Sequence, residues 1–233
     1  MSLSLKATSG DQLYDLSFYE PMFLRNNLGF GVNFSVKDTE KQNAAYDTKY
    51  IRVRPLVTYP LGEKSKIQIE YLISQTELSN PGAVGALITA EVNEGKVTSS
   101  SIGYQYSHDT RLYSNGAKSG LLLNFGQNFS GLGGDKTSLK TTFKAAAETN
   151  TLNEELKLTA VLEAGILSFT SGNSRVLDRF FLGSNKMRGF EPDGIGPREC
   201  PNKQCNNSND DALGGERFGV VRFEAEFPLG LPE

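Results

Sequence analysis

Apolar and polar residues alternate with a period of two along most of this chain, the pattern of β-strands with two unlike faces. The clearest run is 28–37. Leu28, Phe30, Val32, Phe34 and Val36 fall on one face, and Gly29, Gly31, Asn33, Ser35 and Lys37 on the other. Similar runs recur at 3–7, 14–18, 51–59, 67–73, 102–106, 121–129, 139–145, 156–166 and 218–227. Short turns punctuate them, as at Pro21 and at Pro60-Leu61-Gly62-Glu63-Lys64. In the hairpin formed by 51–59 and 67–73, Arg52 and Arg54 share a face with Glu70, so opposite charges can pair across neighbouring strands. The whole reads as about ten or eleven antiparallel strands. Large apolar residues on one face and small or polar ones on the other suit a transmembrane barrel, apolar side outward. A soluble sandwich also alternates, but rarely places so much glycine on its solvent face.

Two stretches break the period. Pro81-Gly82 interrupts 77–96, where 84–92 suits a short helix or a loop strand, and the whole is read as a second long loop. The other is 171–215, rich in Gly, Asn, Asp, Pro and charge. A connection this long within an all-β pattern is disordered or functional. Its aromatic pair, Phe180-Phe181, and its Met187-Arg188-Gly189-Phe190 tip argue for an ordered, packed loop. Gly189 permits a positive φ, Arg188 offers a rigid fork of donors suited to a carboxylate, and Phe190 is an apolar anchor.

Composition sharpens the picture. The 233 residues suffice for one large β domain, and a net charge of −3 removes any basic footprint for nucleic acid. No run approaches the length of a membrane helix. Mean hydropathy of −0.36 would suggest a soluble protein, yet a barrel wall averages polar because its two faces alternate. Nine tyrosines, fourteen phenylalanines and 24 glycines fit a barrel with aromatic girdles.

Catalytic chemistry finds little footing. His108 is the one histidine and closes a strand, where a structural role outweighs a zinc ligand or a triad member. Glu224 and Glu226 lie on one strand face at a spacing near that of a retaining glycosidase pair, but no pocket accompanies them. The glycines of 82–95 lack phosphate-loop spacing. Cys200 and Cys205 have neither zinc-site nor redox-motif spacing. The chain reads as a non-enzyme that needs no cofactor or metal.

The order Phe180-Phe181-Leu182-Gly183, Met187-Arg188-Gly189-Phe190, Ile195-Gly196-Pro197-Arg198 and then Gly214-Gly215 before a strand resembles the sixth extracellular loop of the BamA-like outer-membrane assembly barrels. Glu20-Pro21-Met22-Phe23-Leu24, Asp109-Thr110-Arg111 and Ser130-Gly131-Leu132-Gly133-Gly134-Asp135 resemble other elements of that family. The resemblance covers most of the chain. It implies a periplasmic turn at Asp109 and Arg111, capped by an Asx-type turn, and it puts Glu224 at the inner-wall position that receives the loop arginine, here Arg188. An even cysteine count in an exported loop reads as a disulfide, and a Cys200–Cys205 bond pinning the loop tip is expected over free thiols. The resembled barrels often carry such a pair.

The resemblance further implies a partial antiparallel transmembrane β-barrel over 1–233, about ten or eleven strands of a sixteen-strand barrel, without the soluble POTRA repeats and the terminal strands. The first residues lack a signal peptide, so the chain is expected to be a piece of a larger precursor. The implied function is folding and insertion of other β-barrel proteins into the bacterial outer membrane as the core of a Bam complex. It works through a lateral seam and the latched loop. The implied partners are unfolded barrel substrates, outer-membrane lipid, and, through POTRA repeats, accessory lipoproteins and periplasmic chaperones. The alternatives are a translocation-and-assembly or two-partner secretion barrel that exports one protein, and, from a different class, a passive porin or a soluble β-sandwich binding module.

Overall fold

The computed structural model describes residues 2–8, 11–25, 27–40, 46–79, 81–111, 119–133, 136–151, 156–201 and 210–227. Among the described residues, ten antiparallel strands form a single sheet. They are β1 (Ser2–Thr8), β2 (Asp11–Glu20), β3 (Gly29–Glu40), β4 (Asp47–Pro60), β5 (Ser65–Ser79), β6 (Val97–Asp109), β7 (Ser119–Ser130), β8 (Thr137–Thr151), β9 (Leu156–Ser171) and β12 (Arg217–Glu226). Each strand pairs with its neighbour in sequence until β9, which pairs with β12 across the long loop. Within that loop β10 (Arg198–Glu199) and β11 (Asp211–Ala212) make a separate ribbon. The stretch 84–92, left open between helix and loop strand, contains most of a helix, α1 (Ala86–Glu94).

The sheet is one layer thick, so register decides what each face meets. Phe34 pairs with Leu16 and Val53, and Ala160 with Ala147 and Phe223, so apolar rows run unbroken across neighbouring strands. These rows are bare: Ile69 is 50% exposed and Leu162 43%. So extended an exposed apolar surface suits lipid rather than water. The longer strands, up to 16 residues in β9, exceed the roughly 9–11 that cross a bilayer.

The opposite face is polar and internally bonded. Arg54 donates to Asn33 at 3.5 Å, Asn33 to Ser17 at 2.8 Å, and Ser17 to Asp15 at 3.1 Å. Arg54 also lies 3.7 Å from Glu70, the cross-strand pair expected from the charge rows. Glycines on this face make room for rings. Tyr19 lies over Gly29 and Gly31, and a Cβ at Gly31 would stand 3.1 Å from the Tyr19 ring and 3.2 Å from both Leu56 and the Phe18 carbonyl. Gly31→Val is therefore expected to overpack the wall, costing about 1–3 kcal/mol. A lowered temperature for the heat-induced gel shift of the folded protein would register that cost, and an unchanged one would refute it.

Candidate functional site

The long loop leaves β9 and folds back onto the polar face of the wall. Its root is a 3-10 turn over Val176–Asp178. Phe180 then exchanges two backbone hydrogen bonds with Gly215, at 2.9 and 2.8 Å, so the loop is stapled where β12 is about to begin. The Phe180 ring packs on Phe218 with centroids 4.8 Å apart, and the Lys140 ammonium sits 4.5 Å from its centre. Lys140 also donates to the Asp178 carbonyl at 2.8 Å. Gly165 on β9 makes this seat. A Cβ there would run into Phe218 and stand 2.7 Å from the tip of Phe180.

Beyond Phe180 the loop closes on itself. Ile195 N–H donates to Leu182 O at 3.0 Å, and the N–H groups of Lys186 and Met187 both donate to Gly183 O, at 2.9 and 2.8 Å. Gly183 is obligatory here, because a Cβ would collide with the backbone of 191–193. That turn aims Lys186 at the wall, where its ammonium pairs with Glu163. Arg222 on β12 donates to the same carboxylate at 2.8 Å and to the Lys186 carbonyl at 2.7 Å. Lys144 on β8 completes the group at 3.7 Å. The Glu163 side chain is only 6% exposed, so one desolvated carboxylate ties the loop to three strands.

The expected Arg188–Glu224 contact is not formed. Arg188 and Phe190 are exposed, Met187 is at the surface, and Arg188 has no ion-pair partner among the described residues. The reason is local. The Gly183 turn presents Lys186 to the wall, and Gly189, at φ 86°, bends the following tip away. Glu224 lies opposite Thr159, four residues along β12 from Val220, which faces Glu163. At about 3.4 Å per residue that is roughly 13 Å along the strand from the Glu163 position. Lys186, Glu163, Arg222 and Gly165 were not singled out from the sequence. Their signal was nonetheless present: Lys144 and Glu163 are register partners of opposite charge, and Gly165 follows two positions later on the same face.

The remaining candidate residues are placed as follows. Asp109 accepts the Arg111 backbone N–H at 3.0 Å and pairs with its guanidinium at 2.9 Å, at the end of β6. His108 Nδ1 lies 2.7 Å from Ser65 Oγ across the hairpin. Cys200 is buried and disulfide-bonded, while Cys205 lies outside the described residues. No group of three or more His, Cys, Asp or Glu suited to a metal occurs among the described residues.

At the rim above the wall, α1 packs on the loop. Ile88 joins Tyr46, Leu78, Val176 and Leu213 in a small apolar core. Beside it Arg175, 3% exposed, donates to Thr76 at 2.7 Å and faces Glu91 at 3.7 Å and Glu94 at 3.8 Å. Glu91 accepts the Val176 N–H at 2.6 Å. Burial pushes the Glu91 carboxyl above its ordinary range, outweighing the opposing pull of that N–H and of Arg175. Its contribution to holding the loop root is therefore full below about pH 4.3 and is lost as pH rises through the raised value. Glu91→Gln is expected to flatten that pH dependence in hydrogen exchange of the Val176 amide. An unchanged profile would assign the dependence to another group.

A family model described as the Omp85 superfamily domain matches residues 1–232. The chain is 27% identical over 229 residues to the outer membrane protein assembly factor BamA of Neorickettsia risticii (strain Illinois), a match spanning 97% of this chain and 30% of that protein. Its fold superimposes on the crystal structure of BamA from Haemophilus ducreyi lacking POTRA domains 1–3 with a TM-score of 0.83 at 13% identity, over 99% of this chain and 48% of that one. The chain thus spans about a third of the curated relative and half of the solved one.

Proposed function

The chain belongs to the Omp85 superfamily, and from that premise we propose that it takes part in folding β-barrel proteins into the outer membrane, as core wall of a Bam-type complex. Its place is the bacterial outer membrane. The work is non-enzymatic. A weak lateral seam in the barrel lets an incoming strand add to an exposed edge by main-chain pairing. The long loop, latched on the inner wall, holds the barrel in the shape that presents that edge. The substrates are unfolded outer-membrane barrels, delivered with the help of accessory lipoproteins and periplasmic chaperones.

The observation that carries this reading is the loop itself, bound to β8, β9 and β12 through Glu163 and Phe180. The test is depletion of the full-length protein in its own cell, rescued by wild type or by a Glu163→Ala variant. Loss of many folded outer-membrane barrels on depletion, restored only by wild type, is the expected result. Loss of a single secreted protein with barrel assembly intact would transfer the reading to a secretion transporter.

A further inference from the structure

Helix α1 touches the long loop at two places far apart in its sequence. At the root, Glu91 accepts the Val176 N–H at 2.6 Å and faces Arg175. Farther along the loop, past the Arg188 tip, the Glu199 carboxylate of β10 accepts the N–H groups of Leu87, at 2.9 and 3.0 Å, and of Ile88, at 3.3 Å. The first N–H groups of a helix have no partner inside it, so this carboxylate is a cap supplied from another segment. Gly85, the residue before the helix, has no side-chain cap of its own. A Cβ there would overlap the Glu199 side chain and stand 2.6 Å from its Oε2, so glycine is what lets the loop approach.

Ile88 and Glu91, three residues apart, form one buried face of α1, and each takes part in one of the two contacts. On another side α1 stands off β9 across a polar cavity of about 590 Å³, lined by Glu94, Lys136, Ser174 and Glu216 among others. The helix is thus bound more closely to the loop than to that strand.

We propose that α1 is a two-ended clasp that couples the root of the long loop to its β10 ribbon, so that freeing Glu199 from the helix start loosens the Glu91 contact with Val176, and the reverse. The clasp acts at the rim, apart from the Phe180 seat and the Glu163 cluster deeper on the wall. It concerns the loop's restraint alone and stands whether or not the protein assembles barrels.

Coupling between two sites is reciprocal by thermodynamic necessity, typically by factors of about 5–150. Amide hydrogen exchange on the full-length protein in lipid vesicles reads both ends. Glu199→Ala is expected to speed exchange of the Val176 amide at least about fivefold, and Glu91→Ala to speed Leu87 and Ile88 by a like factor. Gly85→Ala, which displaces Glu199 without altering it, should reproduce the first result. The Phe180 and Gly215 amides should keep their wild-type rates. Faster exchange confined to the mutated end would overturn the clasp. So would equal loss of protection at Phe180, since the loop would then open as one piece without α1 as the link. Assembly activity is not the readout, so failure here is distinct from failure of the functional reading.

Discussion

Gly165→Val is expected to unseat the long loop from the wall. The new side chain would enter the space held by Phe180 and Phe218, whose rings lock against each other, with Lys140 over the Phe180 ring. Phe180 cannot slide away, because both its backbone groups bond Gly215. Overpacking of this kind costs about 1–3 kcal/mol, with larger values where the backbone is fixed. At about 1.4 kcal/mol per tenfold, protease cleavage within 182–196 should accelerate roughly tenfold or more. Phe218→Ala in the same molecule reopens the space and should recover part of the protection. Wild-type resistance of the single variant would mean the seat does not hold the loop.

Loss of the shared carboxylate should be larger still. Glu163→Ala leaves Lys186, Arg222 and Lys144 converging on one place without their counter-charge. Removing one partner from a buried pair typically costs about 3–5 kcal/mol, against about 0.5 kcal/mol or less for an exposed side chain without partners. Glu163→Ala and Lys186→Ala should therefore abolish rescue of a depleted cell, while Arg188→Ala leaves loop protection near wild type. The opposite ranking, with Arg188→Ala and Glu224→Ala the more damaging, would return the latch to the arginine tip in the working protein. A Lys186→Arg variant keeps the charge and should retain most of the protection, which separates lost charge from lost bulk.

The wall was legible because period two and turn residues are local properties. Leu28, Phe30, Val32 and Phe34 declare a strand and its outward face without reference to the rest of the chain. Arg54 opposite Glu70 was legible for the same reason, since a hairpin fixes register over a few residues. The latch was not, although the loop that carries it was. Choosing Lys186 over Arg188 depends on how a turn of two residues orients its side chains. Two local bonds to Gly183 O and one from Arg222, on a strand far along the chain, set that orientation here. Helix α1 was obscure for a different reason. It is short, its first turn is capped by Glu199 from another part of the chain, and its buried face includes Glu91, which an apolar periodicity does not count. The buried Arg175 was equally silent, because its ion pairs join the root of the loop to a helix far from it in sequence.

The simple strand order bears on how the protein is made. Eight of the nine pairings in the sheet join strands that follow one another, and each can form as a local hairpin. The ninth, β9 with β12, must wait for the whole loop. Closing a longer loop adds little entropy cost in itself, about 0.6 kcal/mol per doubling. What it adds is an order of events. Phe180 bonds Gly215 and stacks on Phe218 at the very start of β12, and Arg222 within β12 grips Lys186. β12 therefore cannot pair fully with β9 over an unseated loop without leaving those groups unpaired. Placement of the loop and arrival of β12 are one step in biogenesis. The two are coupled: a chain whose loop has gone astray leaves β9 without its β12 partner.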